Sequence, residues 1–323
     1  MTLKKRNNII TLVKLVIALF SFGFLFYKLK QSNDFSFLNA LKFAVSNNNF
    51  IFFLFVSLLL VVVNWTLEAV KWKFILLKIE NLSIFEALKS TFSGVAIGFV
   101  TPNRIGEFAG KILFLKEENR VNATYLNSIT SAAQLFITLV LGLVSSLFFK
   151  QDLLNYFSEA FVNIVQLLSL LGVVLVISFL FYNEAFFEKL SSLKIIQSLN
   201  INYTKHEIIT HKVVLVILLY SLLRYLTFVV QYYLLFYVFN LTCDFSLFSI
   251  LTAFYFLLIT AIPTFFITEV GVRGSAALFV YSFVFPNAEF VLSAAFSVWF
   301  LNLAIPAVIG VFFVLKNKTN TDD

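Results

Sequence analysis

Six apolar stretches, each long enough for one membrane-spanning helix, dominate this sequence. A helix needs roughly 17 to 25 apolar residues to cross the hydrocarbon layer of a bilayer. The stretches that qualify are 9–27, 50–70, 124–149, 159–182, 213–238 and 290–315. With 60% apolar residues and 13% charged residues, the chain has more apolar side chains than a water-soluble core of its size buries. The sequence therefore predicts an all-α polytopic membrane protein, with a single transmembrane domain over residues 1–323.

Two further apolar segments, 86–116 and 248–284, are interrupted near their middles by proline, glycine and charged residues. Proline removes a backbone donor and stops a helix. Glycine lets the chain turn and lets a neighbour come close to the backbone. We expect each segment to form a re-entrant, broken helical hairpin. The residues expected to shape these hairpins are Pro102, Gly106, Gly110, Pro263, Gly271 and Gly274.

The positions of lysine and arginine indicate an orientation, because these residues are enriched in cytoplasmic loops. Placing the basic side in the cytoplasm puts both termini on the cytoplasmic side of the cell (inner) membrane. It leaves four basic residues outside, namely Lys28, Lys30, Lys42 and Lys150. A pattern of span, amphipathic segment, span, broken hairpin and span then occurs twice, at 9–149 and, in opposite orientation, at 159–315. Inverted repeats with discontinuous helices are typical of transporters, although two similar hydropathy patterns also arise by chance.

Ionised side chains occur inside these apolar segments, where each costs at least about 2.5 to 3.5 kcal/mol at mid-membrane. Arginine forks and helix N-termini bind phosphate oxygens, so an anionic lipid headgroup is the expected ligand. The alternative is that the acids and bases only neutralise one another and hold the hairpins folded. The candidate substrate-binding residues are Arg104, Glu107, Lys111, Arg224, Glu269 and Arg273.

The second span carries a weaker candidate set on one helical face. Asn64, Glu68 and Lys71 follow one another at the spacing of successive helical turns. We take Asn64 and Glu68 as secondary candidates. The alternative is that Glu68 and Lys71 only pair, or extend their charged ends to the cytoplasmic interface.

Composition and motifs exclude several classes of function. One cysteine and two histidines, both in one polar loop, predict no metal site and no cofactor. The sequence has no P-loop, no G-x-S-x-G motif and no paired-aspartate motif, so we expect no catalytic residues and no nucleotide hydrolysis. The net charge of +7 is accounted for by cytoplasmic loops facing anionic lipid, so nucleic acid is not an expected partner.

The segments TPNRIGEFAGKILFLK and IPTFFITEVGVRGSAALFV resemble the transmembrane region of lysylphosphatidylglycerol synthases, a flippase-like family. Two departures from the family pattern are Lys111, where an arginine is usual, and the Phe265–Ile267 stretch, where glycines are usual. The positions that match the family's two motifs are Pro102, Arg104, Gly106, Glu107, Gly271, Val272 and Arg273.

The resemblance implies a stand-alone membrane module, and because the chain ends at Asp323 soon after the last span we expect no synthase activity. The expected function is movement of an anionic or modified phospholipid, or of a lipid-linked intermediate, between leaflets. The alternative is a non-transporting accessory or scaffold protein whose partner is an enzyme of envelope-lipid or glycan synthesis. A third class, an intramembrane transferase with Glu107 or Glu269 as base, lacks a visible metal or nucleophile.

Overall fold

The structure of the protein is a computed structural model, and it describes residues 37–101, 104–183, 185–186, 188, 209–264 and 266–319. Two sequence predictions, the first span at 9–27 and the helix-stopping role of Pro102, lie outside these residues. Every regular element in the described part of the chain is helical, as the composition predicts.

Twelve α-helices, a 3₁₀ turn and a π-helix make up the described part of the chain. The first six helices are α1 (Phe37–Ser46), α2 (Phe50–Leu76), α3 (Ile84–Val100), α4 (Gly106–Ile112), α5 (Arg120–Phe148) and α6 (Lys150–Leu154). The others are α7 (Glu159–Phe181), α8 (His211–Val238), α9 (Phe245–Ala261), α10 (Phe266–Tyr281), α11 (Ala288–Trp299) and α12 (Ile305–Thr319). The 3₁₀ turn is Glu117–Asn119 and the π-helix, between α11 and α12, is Phe300–Ala304.

Five helical segments are long and apolar enough to cross a membrane: Phe50–Leu76, Glu117–Phe148, Glu159–Phe181, His211–Val238 and Ala288–Lys316. They coincide with five of the six predicted spans, which confirms a multi-pass membrane protein. The full span count, the re-entrant placement of the hairpins and the inverted repeat stay predictions.

The first interrupted segment is a pair of antiparallel helices, α3 and α4, packed backbone against backbone. A Cβ at Gly110 would lie 2.4 Å from the carbonyl oxygen of Ser93. A Cβ at Gly106 would lie 2.7 Å from the carbonyl oxygen of Ile97. Real Cβ atoms do not come this close to backbone, so only glycine fits at both positions.

The second interrupted segment breaks between α9 and α10. Pro263 lies in this break, whereas Gly271 and Gly274 lie inside α10 rather than at a turn. The two helices meet through buried aromatic rings, since Tyr281 contacts Phe248 and Tyr255. The second hairpin is therefore held by side chains, whereas the first is held by glycine contacts.

The π-helix has a local cause in the sequence. Pro306, two residues after its end, has no N–H for the carbonyl of Asn302, so the regular i to i−4 ladder cannot continue. Asn302 instead donates its side-chain amide to the carbonyl of Val298 and to Gln231 on α8. These bonds place a polar side chain inside an otherwise apolar segment.

Candidate ligand-binding cavity

Glu68, on α2, accepts contacts from three basic side chains and is itself only 4% exposed. Its carboxylate lies 2.7 Å from the Lys111 Nζ of α4 and 2.8 Å from the Lys71 Nζ one turn along α2. The same carboxylate pairs with the Arg224 guanidinium of α8. A single buried acid thus joins three separate helices.

The partners of Glu68 are held by further polar contacts. Arg224 donates from Nε to Asn64 at 3.0 Å, and its guanidinium lies 5.7 Å from the ring centre of Trp65. Lys111 donates to Asn127 on α5 at 3.1 Å. Buried charges need such partners, because an unpaired ion in an apolar interior is strongly disfavoured.

The first hairpin carries the network from the buried interior towards a more exposed position. The Glu107 carboxylate oxygens lie 3.4 Å from the Lys111 Nζ and 3.7 Å from the Arg104 Nη2. Arg104 adopts φ 57°, a left-handed conformation that is uncommon for a residue with a side chain. The turn is closed by Thr101, whose hydroxyl accepts from the backbone N–H of Gly106 at 2.8 Å.

The second hairpin contributes one further ion pair. Arg273 on α10 donates from Nε to Glu269 at 2.9 Å, and a second guanidinium nitrogen lies 2.8 Å from the same oxygen. Glu269 is 3% exposed, whereas the Arg273 side chain is 25% exposed. The charged end of Arg273 is thus more accessible than its partner.

Charged residues from both hairpins and from α2 and α8 line one cavity of about 470 Å³. This volume lies within the roughly 300–1,000 Å³ of small-molecule sites. The wall is largely aromatic and apolar, and two of its residues, Ser131 and Thr260, are exposed, so the cavity opens to the surface of the protein. The charged lining residues are Glu68, Lys71, Arg104, Glu107, Arg224 and Arg273.

The cavity lining carries an excess of positive charge. It holds four basic and two acidic side chains, a formal net charge of +2. Adding Lys111 and Glu269, which pair with lining residues from behind, leaves the net charge at +2. Internal ion pairs therefore do not neutralise the site, and an anion with two negative charges would.

The structure brings most of the predicted site residues together. Arg104, Arg224 and Arg273, three of the five arginines in the chain, line the same cavity, as does Glu107. Lys111 and Glu269 are absent from the lining and act as buried partners. The secondary candidate Glu68 is the centre of the network, and Asn64 holds Arg224.

Sequence reasoning missed the uncharged part of the lining. Gln134 on α5 and Asn302 in the π-helix are polar residues inside predicted spans, and that position was the available signal. The aromatic lining residues carried no signal, because aromatic side chains occur throughout the chain. They are Trp65, Tyr225, Phe228, Tyr232, Phe256 and Trp299.

Comparison with known proteins gives one family. The family model described as the lysylphosphatidylglycerol synthase TM region matches residues 11–310. Searches of curated proteins and of solved structures found no match. The match spans both hairpins, four of the five described membrane-spanning segments, most of the fifth, and all the charged cavity residues. The chain is therefore a multi-pass, lipid-related membrane module that belongs to the lysylphosphatidylglycerol synthase TM region family.

Proposed function

We propose that this protein moves an anionic or modified phospholipid, or a lipid-linked intermediate, between the leaflets of the cell (inner) membrane. In this proposal the headgroup occupies the cavity and the acyl chains stay in lipid. The protein hydrolyses no nucleotide, carries out no catalysis and has both termini in the cytoplasm. The observation that carries the proposal is the net +2 charge of a headgroup-sized cavity inside a membrane module.

The roles of the arginines follow from their surroundings. A guanidinium offers planar, forked donors that match phosphate oxygens. Arg104 and Arg273 each pair with one carboxylate and retain 30% and 25% side-chain exposure. They therefore have donors to offer a ligand. Arg224, at 12% exposure, is more fully committed to Glu68 and Asn64 and contributes mainly charge.

A second candidate function is a non-transporting accessory protein for an enzyme of lipid or glycan synthesis. One observation favours it, since every charged side chain of the cavity lining has an ion-pair partner within the chain. A scaffold needs such pairs and no ligand. The excess positive charge is what a scaffold does not need.

Reconstitution into liposomes separates the two functions. Fluorescent lipids with phosphatidylglycerol, phosphatidic acid or aminoacylated headgroups would be incorporated, and leaflet exchange followed by dithionite quenching. We expect exchange with wild-type protein, and at least about tenfold slower exchange with Arg273→Gln, which removes the forked guanidinium donors and one positive charge. Lys42→Gln, on a residue outside the cavity, is the matched control. Folded wild-type protein that exchanges none of these lipids would favour the accessory function.

A further inference from the structure

The excess positive charge of the cavity belongs to one connected group of ion pairs. Five ion pairs join six charged side chains of the first hairpin, α2 and α8 without a break. We call this group the Glu68 network, and its members are Arg104, Glu107, Lys111, Glu68, Lys71 and Arg224. Its four basic and two acidic side chains give it a formal charge of +2.

The remaining ion pair of the site adds nothing to this excess. Arg273 and Glu269 pair with each other and are neutral together. Within the described part of the chain they share no ion pair with the Glu68 network. The whole excess of positive charge therefore lies in that network, on the side of the cavity formed by the first hairpin, α2 and α8.

Much of this network is buried. Glu68 is 4% exposed, and Lys71 and Lys111 are each 1% exposed, so water screens little of their charge. A buried charge without a counter-charge is strongly disfavoured. A counter-anion for the network therefore has to come from the cavity, where two of its arginines are accessible.

The accessible arginines are Arg104, with 30% of its side chain exposed, and Arg224, with 12%. Within the described residues the Arg104 guanidinium makes no hydrogen bond, and its ion pair with Glu107, at 3.7 Å, is longer than a hydrogen bond. Its Nε is buried, whereas its two terminal nitrogens are not. These terminal nitrogens are available to phosphate oxygens in the cavity.

Charge distinguishes two kinds of phosphate that an arginine could bind. A phosphodiester carries one negative charge per phosphate. A terminal phosphate, which is a monoester, carries about −1.5 to −2 at pH 7, because its second pKa is about 6. A phosphodiester would leave the Glu68 network with an unbalanced positive charge, whereas a single terminal phosphate would neutralise it.

We infer that the cavity recognises a terminal phosphomonoester in preference to a phosphodiester, with Arg104 as its donor and Arg224 as an additional charge beside it. This inference rests on the proposed function for the source of the phosphate. That source is a lipid whose headgroup is a bare phosphate, such as phosphatidic acid or a polyprenyl phosphate. A soluble phosphomonoester presents the same group to the same residues.

The test compares two lipids that differ by one methyl group. Phosphatidic acid ends in a phosphomonoester, and phosphatidylmethanol carries the same phosphate as a methyl diester. The purified full chain in detergent is titrated with each lipid, and binding is followed by the change in melting temperature. At pH 8 we expect phosphatidic acid to act at about tenfold lower concentration than phosphatidylmethanol. Equal concentrations at pH 8 would overturn the inference.

Repeating the comparison at pH 5 separates charge from size. Phosphatidic acid then loses most of its second charge, so the two lipids should act at equal concentrations. Comparing both lipids at one pH cancels any effect of pH on the protein itself. A preference that persists unchanged at pH 5 would assign it to the bulk of the methyl group and would also overturn the inference.

Variants of the network change its charge in opposite directions. Arg104→Gln lowers the formal charge from +2 to +1, which one phosphodiester neutralises, so the preference should fall to about twofold or less. Glu107→Gln raises the charge to +3 and should keep the preference. Arg120→Gln is the matched control, because Arg120 pairs with Glu117 at the same sequence spacing but outside the cavity. An undiminished preference in Arg104→Gln, or its loss in both cavity variants alike, would contradict the role of network charge.

Vesicle experiments keep this inference separate from the proposed function. Phosphatidic acid and phosphatidylmethanol, each labelled on one acyl chain, are compared for leaflet exchange at pH 8, with protein-free vesicles as the baseline. Faster exchange of phosphatidic acid supports both ideas. Equal exchange of the two lipids would overturn the inference and leave the proposed function standing. Preferential binding of phosphatidic acid without exchange of any lipid would do the reverse.

A soluble probe identifies the source of the phosphate. Glycerol 3-phosphate presents the same phosphomonoester without acyl chains. If the source is a lipid, it should act only at more than about tenfold higher concentration than phosphatidic acid, because it lacks the contacts of the chains. Equal potency would support phosphomonoester recognition with a soluble ligand and would count against the proposed function.

Discussion

Glu68 and Lys111 lie 2.7 Å apart in the interior of the molecule, although they are separated by 43 residues in the chain. This ion pair links α2 to the short helix of the first hairpin. Because Glu68 also pairs with Lys71 and Arg224, its carboxylate is the counter-charge for two buried cations and one partly buried cation.

The variant Glu68→Gln should therefore be strongly destabilised. Removing the acid leaves two buried cations and the partly buried Arg224 without their shared partner, and breaking a buried ion pair in this way costs about 3–5 kcal/mol. The measurement is the monodisperse fraction after detergent extraction, together with the melting temperature. The double variant Glu68→Gln/Lys111→Gln removes one cation as well and should recover part of the loss. Glu118→Gln, on an exposed acid, is the control, and a Glu68→Gln protein as stable as this control would refute the role given to Glu68.

Arg104 has separate backbone and side-chain roles that two substitutions distinguish. Its φ of 57° favours glycine over any residue with a Cβ, by about 1–2 kcal/mol. We expect Arg104→Gly to melt at a higher temperature than Arg104→Ala, and both to lose lipid exchange because both lack the guanidinium. Full exchange by either variant would show that the Arg104 side chain does not contact the ligand.

The close packing of the first hairpin predicts an asymmetry between two glycines. In Gly110→Ala the new Cβ would meet the Ser93 carbonyl at 2.4 Å and the Gly94 Cα at 2.5 Å, so α3 and α4 must separate. In Gly172→Ala the nearest atom is Leu139 Cδ1 at 3.4 Å, an ordinary contact. We expect Gly110→Ala to lower the melting temperature and extraction yield, and Gly172→Ala to be neutral or stabilising by up to about 1 kcal/mol. Equal melting temperatures for the two variants would contradict the backbone contact.

The N-terminus of α3 is closed by a reciprocal pair of hydrogen bonds. The Ser83 hydroxyl accepts from the Glu86 N–H at 3.2 Å, and the Glu86 carboxylate accepts from the Ser83 N–H at 2.7 Å. In Ser83→Ala the Glu86 amide should exchange with deuterium about fivefold faster, since a lost cap costs about 1 kcal/mol. Amides at the centre of α5 provide the internal control. Unchanged exchange at Glu86 would argue against the cap.

The same cap gives a pH dependence. The backbone N–H of Ser83, followed by its side chain, holds the pKa of Glu86 below its usual value. A carboxyl whose pKa is lower in the folded state stabilises the fold above its unfolded pKa of about 4.3 and loses that contribution as pH falls through the folded value. We therefore expect the Ser83 amide to lose protection against hydrogen exchange when the pH is lowered below about 4, after correction for the intrinsic exchange rate. In Glu86→Gln this protection should not depend on pH over that range.

Charge was the property by which the sequence predicted most of this site. Ionised residues in apolar segments stand out because lipid penalises them, and this signal identified Arg104, Arg224 and Arg273. Glu68 ranked lower because the apolar stretch ends at residue 70, whereas the helix continues to Leu76 and keeps Glu68 buried. Gln134 and Asn302 escaped notice because an uncharged polar side chain changes local hydropathy little.

The fold was predictable to the same degree. Helical spans follow from apolar length alone, and the break after α9 follows from Pro263. The hydropathy pattern does not show which helices pack against each other. The position of Asn302 on the cavity depends on a π-helix caused by Pro306, and the role of Lys111 depends on a residue far away in the chain.

The glycine contacts of α3 also determine which parts of the protein can move independently. On one side α3 meets α4 through Gly106 and Gly110, and on another it meets α12, where a Cβ at Gly310 would lie 2.0 Å from the Phe92 carbonyl oxygen. Backbones in such contact cannot slide or rotate past each other, because there is no side chain between them to change rotamer. We therefore expect α3, α4 and α12 to move as one rigid body. Any change in the shape of the cavity must arise at its side-chain-mediated borders, such as the contact between Arg224 and Glu68.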